Sequence, residues 1–112
     1  MANQYRASTQ RMIDAVLTTP GDSEPAVRRA VEARAAELGG RSIEKAGEVP
    51  EELRNYVDKV ALHAYKVTDE DIEALRKAGY SEDAIFEITL SAALGAGIAR
   101  LERGLAALRG EQ

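Results

Sequence analysis

The sequence predicts an all-α fold: one helical domain over residues 1–112, with about five helices closed by a long C-terminal helix. Three observations carry that expectation. Apolar residues recur three and four apart, and no stretch alternates apolar with polar. Alanine occurs 20 times in 112 residues, against nine glycines and three prolines, which favours helices packed through small side chains. Helix start and stop residues also stand where the periodic runs begin and end.

The first helix is expected over residues 8–18, with Met12, Ile13 and Val16 as its apolar stripe. Thr19, Pro20, Gly21 and Asp22 make a turn. Ser23 is placed to cap the second helix, and Pro25 sits in its first turn, where a missing N–H costs nothing. Val27, Ala30, Val31, Ala35 and Leu38 mark its inner face, and Gly39 and Gly40 stop it. Residues 41–50 form a loop ending at Pro50, with a short helical turn near Ile43.

The third helix begins near Glu51 and ends near Val67, with Leu53, Val57, Val60 and Ala64 as its buried stripe. Thr68 caps the fourth helix in a capping box with Asp71, and Asp69 and Glu70 add negative charge at the positive end of its dipole. Ile72 and Leu75 face inward, and Gly79 stands at the C′ position. Ser81 caps a fifth helix that can reach Arg109, roughly 42 Å at 1.5 Å per residue. Leu94, Ile98, Leu101, Leu105 and Leu108 give that helix a coiled-coil-like seam.

Composition excludes several chemistries. With no cysteine there is no disulfide, no thiol peroxidase cycle, no thiolate zinc site and no cysteine nucleophile. His63 is the only histidine, so no multi-histidine metal site exists and one imidazole is available as a base. Net charge is −4, which argues against nucleic acid or an anionic membrane as the main partner. The negative charge lies in the second half: residues 1–43 carry six Arg against five acids, whereas 44–112 carry nine Lys or Arg against fourteen acids. Nothing approaches 18 consecutive apolar residues, so no membrane span is expected. Residues 1–12 are polar and lack an apolar signal core, so a cytoplasmic location is expected.

The words VTDEDIEALRKAGYSEDAIFEI and SAALGAGIARLERGL, within residues 51–108, resemble the carboxymuconolactone decarboxylase and alkylhydroperoxidase AhpD-like family. Residues 1–50 carry no motif of that family. The resemblance implies a helical bundle and a homo-oligomer, whether dimer, trimer or hexamer. The family's redox members use a Glu-x11-Cys-x2-Cys-x3-His arrangement. Set on Gly79, the thiol positions fall on Ala64 and Val67, the histidine position on Asp71 and the acid on Glu52. Only Glu52 matches by type. The family's decarboxylase branch has Glu-x3-His, which here reads Val67 and Asp71. An alternative register has the chain resembling the cysteine-free C-terminal half of larger members. In the Gly79 register, Ala64 and Val67 are expected to be buried close together.

Glu52, His63 and Tyr56 are the candidate catalytic groups, as an acid, a proton-transfer imidazole and its phenol neighbour. Each also has a structural reading. Glu52 lies in an acidic first turn, and His63 lies on the polar flank of an amphipathic helix with Lys59 and Lys66. Asp69, Glu70, Asp71 and Glu73 lack the spacing and glycine of a calcium loop, so a solvated helix start is expected rather than a metal site. Residues 72–88 have the outline of a helix-turn-helix. The would-be recognition helix starts with Glu82, Asp83 and Glu87 among apolar residues, which phosphate would repel.

Residues 92–99 hold small residues four apart, suiting close helix contact with the third helix, with another subunit, or with both. Ala93, Gly97 and Arg100 are the candidate oligomer interface. The expected function is an oligomeric binding or structural protein, with a small molecule or a protein as ligand and without cofactor, metal or thiol redox activity. The alternative is a non-redox acid–base enzyme of decarboxylase or lyase type.

Overall fold

The computed structural model describes residues 2–41 and 47–110, with side chains from residue 7 onward. Among these, five α-helices and no strand appear: α1 (Ala2–Thr18), α2 (Pro25–Leu38), α3 (Glu51–His63), α4 (Asp69–Lys77) and α5 (Glu82–Leu108). A single 3₁₀ turn, Ala64–Lys66, follows α3. The turn expected near Ile43 lies outside the described residues. The all-α expectation holds, and so does the long C-terminal helix.

The local signals work as capping chemistry requires in two places. Thr68 Oγ1 accepts from the Asp71 amide while the Asp71 carboxylate accepts from the Thr68 amide, a complete capping box. Ser81 Oγ accepts from the Ala84 amide at 3.1 Å and starts α5. Between them, Gly79 takes φ +104°, and the Tyr80 amide reaches the Leu75 carbonyl at 3.1 Å. That pair is a Schellman closure, which needs the left-handed backbone that glycine supplies.

Three expectations are corrected. α2 has Glu24 at its N-cap with no side-chain cap bond; the Ser23 hydroxyl is turned to Glu87 instead. α1 begins at Ala2, and its buried residue is Leu17; Met12 is exposed and Ile13 and Val16 are half-buried. α3 stops at His63, whose backbone (φ −147°, ψ 56°) leaves the helical path. The four-residue step from Val60 to Ala64 is thereby broken, so Ala64 is exposed and Ala61 takes the buried place.

The largest correction concerns α5. The leucine seam is not its buried face: Leu101 and Leu108 are exposed, and Leu94, Ile98 and Leu105 are half-buried. Ala84, Ile85, Ile88, Ser91, Ala92, Gly95, Ala96 and Ala99 face inward instead. The reason is the closeness of α2, the main packing partner of α5. A Cβ on Gly95 would stand 3.1 Å from the Ala36 nitrogen and collide with the Glu32 carbonyl. A Cβ on Gly39 would stand 2.8 Å from the Ala96 carbonyl oxygen. Only small residues fit between backbones this near. The close-packing partner is therefore α2 and not the third helix.

One core runs through all of this, with Val31, Leu53, Val57 and Ile88 fully enclosed. Val67, Ile72 and Tyr80 pack on its edge. α5 is long and apolar enough, by length and composition, to cross a membrane, although no 18-residue run is wholly apolar. In its most apolar window 44% is buried against the other helices, as in the central helix of a bundle.

Candidate functional site

α3 carries the three candidate catalytic groups, and the fold gives each a separate setting. Glu52, in the exposed first turn, accepts a hydrogen bond from the Tyr80 hydroxyl at 2.7 Å. That bond holds the Glu52 carboxyl below its ordinary range. Burial and the same bond push the Tyr80 phenol up to about 12. Tyr56 is buried, and its hydroxyl pairs with Thr89 Oγ1 of α5 at 2.6 Å. His63 is exposed and meets the Tyr65 ring edge-on, with centroids 6.0 Å apart. Tyr65 also lies under Lys66, whose Nζ is 5.9 Å from the ring centroid. Glu52 stays ionised and Tyr80 stays protonated across the neutral range, so neither is poised to exchange a proton there.

The positions that match the family's thiols and histidine are likewise divided. Ala64 is exposed and Val67 is half-buried on the core edge. Ala64 thus departs from the expected burial. Asp71 closes the α4 capping box and accepts both Lys59 Nζ contacts, at 2.9 and 3.0 Å. The Lys59 ammonium, with the Thr68 amide, holds the Asp71 carboxyl below its usual range. This carboxylate joins α3 to α4. No group of three or more His, Cys, Asp or Glu stands placed for a metal ion among the described residues.

Beside Tyr80 lies an open groove of about 500 Å³ between the α1–α2 connection and the start of α5, with Asp22, Glu24, Val27 and Ala84 on its walls. The Asp22 carboxylate accepts from the Ser81 hydroxyl at 2.9 Å. Beneath it, Glu87 of α5 accepts from the amides of Asp22 and Ser23 at 3.0 and 2.8 Å, and from the Ser23 hydroxyl. Burial alone would raise the Glu87 carboxyl, but these bonds and the Arg28 charge outweigh it, and it lies below its ordinary range. Arg28 is 3% exposed and binds the carbonyls of Val16, Thr19 and Ser23, closing the end of α1. Sequence reasoning missed Arg28 and Glu87. A signal existed for Arg28: it stands three residues before Val31 and seven before Ala35, on the buried stripe of α2.

The candidate interface residues Ala93, Gly97 and Arg100 all face outward on α5. They belong to a longer surface. Phe86, Leu90, Ala93, Gly97, Leu101, Gly104 and Leu108 are all exposed, Phe86 at 65% and Leu108 at 85%. Their spacing of four, three, four, four, three and four keeps them on one helical face. No charged residue stands in that set; Arg100 borders it and donates to the Ala61 carbonyl at the end of α3. An added Cβ at Gly97 or Gly104 would meet nothing within 4 Å. The contrast with Gly95 is direct, since packing within the chain requires that glycine and not the other two.

No family model, curated protein or solved structure matches the chain.

Proposed function

We propose that this chain is a cysteine-free, AhpD-like helical subunit that acts by association, as an oligomeric binding or structural protein without thiol redox activity. The observation that carries the reading is the outward face of α5. It offers seven uncharged positions over residues 86–108, roughly 33 Å of helix. Phe86, Leu90, Leu101 and Leu108 are large apolar side chains left in water. A continuous apolar face of this kind favours a protein partner. Mid-helix glycine costs about 1 kcal/mol relative to alanine. Gly97 and Gly104 have no packing reason inside the chain, and close approach of another helix supplies one.

The division of Glu52, Tyr56 and His63 supports the same reading from the other side. Acid–base catalysis needs its groups within hydrogen-bond reach of one substrate. Here one carboxylate is engaged by Tyr80, one phenol is buried against Thr89, and the exposed imidazole meets the Tyr65 ring edge-on.

Two measurements test the proposal. Sedimentation velocity at micromolar concentration is expected to give a multiple of 12.1 kDa. A species of 12.1 kDa alone would contradict association. Metal-free protein supplied with peroxide and a thiol reductant should consume no more peroxide than buffer. Turnover that survives repeated purification would overturn the non-redox part.

A further inference from the structure

The outward face of α5 has an internal symmetry that identifies its partner. Counted from Gly97, the exposed positions are mirror-related: Ala93 with Leu101, Leu90 with Gly104, and Phe86 with Leu108. At the two inner pairs sizes are matched as well as places: Ala93 and Gly104 are small where Leu101 and Leu90 are large. Two helices laid antiparallel, with Gly97 at the crossing, set Leu90 and Leu101 of one into the gaps left by Gly104 and Ala93 of the other, and bring the apolar Phe86 and Leu108 together at each end. A parallel pair would instead set Leu90 on Leu90 and leave Gly104 facing Gly104.

Antiparallel packing also opposes the two helix dipoles. Gly97 is open in the folded chain, so it can accept the close backbone contact that a crossing point demands.

We infer that the partner of this face is a second copy of the chain, related by a two-fold axis that passes beside Gly97 and pairs the two α5 helices antiparallel. The inference rests on the association reading above and adds to it the face, the direction and the register. An isologous contact of this kind closes as a dimer, because each surface is satisfied by its own copy.

The chain has no cysteine, so single-cysteine variants report this geometry without background. Gly97→Cys is expected to form a disulfide with its own copy on mild oxidation, doubling the mass on a non-reducing gel. Position 93 lies four residues from the axis, so two copies of it stand roughly 12 Å apart along the helices, beyond disulfide reach. Ala93→Cys alone should therefore stay single, as should Leu101→Cys alone. A refolded mixture of the two should cross-link.

A wild-type oligomer in which Gly97→Cys stays single would overturn the axis while leaving association intact. So would cross-linking of Ala93→Cys alone, which marks a parallel pair. Wild-type protein that sediments at 12.1 kDa overturns both the inference and the reading beneath it. Co-sedimentation of that monomer with vesicles of phosphatidylcholine and phosphatidylglycerol would then assign the face to a lipid surface. All three positions are exposed, so the substitutions leave the fold intact.

Discussion

Gly95 and Gly97, two positions apart on α5, do opposite jobs: the first is crowded by α2 and the second is open. Gly95 lets the α2 backbone in, and a methyl group there must push Glu32 and Ala36 aside. Gly95→Ala is therefore expected to destabilise the chain by about 1–3 kcal/mol despite the better helix propensity of alanine, as urea denaturation would measure. An unchanged midpoint would mean that α2 and α5 are further apart than described. Glu87 is the other decisive residue. Its carboxylate accepts three hydrogen bonds from Asp22 and Ser23, so the folded chain holds it ionised at lower pH than the unfolded chain does. The same direction applies to Glu52 and Asp71. The unfolded state then binds more protons, so this stabilisation is fully present above the ordinary carboxyl values of 4.5 and 3.8. It is lost as pH falls through the lower folded values. Glu87→Gln should flatten part of that acid-side loss in melting temperature, and an identical pH profile would show that Glu87 is not a contributor.

At the scale of elements, the caps of α4 and α5 were legible, whereas the α2 cap expected at Ser23 and the packing face of α5 were not. Thr68, Gly79 and Ser81 act where their chemistry places them, because a cap is decided by residues within four positions of one another. The leucine seam of α5 misled because apolar spacing cannot tell which stripe faces the core. Distance between helices decides that, and the approach of α2 gives the inner face to alanine and glycine. The break at His63 was equally hidden, since no proline or glycine marks it. It separates Ala64 from the core while Val67, beyond the 3₁₀ turn, packs back onto it. Val67→Asp is thus expected to cost about 1–3 kcal/mol for a partly buried charge, whereas Ala64→Asp should stay within about 0.5 kcal/mol. Equal losses in thermal melts would show that the two positions share one buried site after all.

The whole molecule measures 46 × 28 × 24 Å, and much of its long axis is α5, about 40 Å for 27 residues. Residues 1–50, which lack any recognisable motif, supply the helix that α5 packs against most closely. The second half alone therefore has no complete core. The outward positions Ala93, Gly97 and Arg100 were legible as a surface from their spacing, although its extension through Gly104 to Leu108 needed the burial pattern. On the proposed reading, another copy covers this surface and the chain itself does not. Sedimentation velocity of Gly97→Leu beside the wild type tests it most directly. Leucine there meets nothing within the chain and improves helix propensity, so helical content by circular dichroism should not fall. The predicted result is a wild type at a multiple of 12.1 kDa and a folded Gly97→Leu at 12.1 kDa. Identical masses for the two proteins would contradict it.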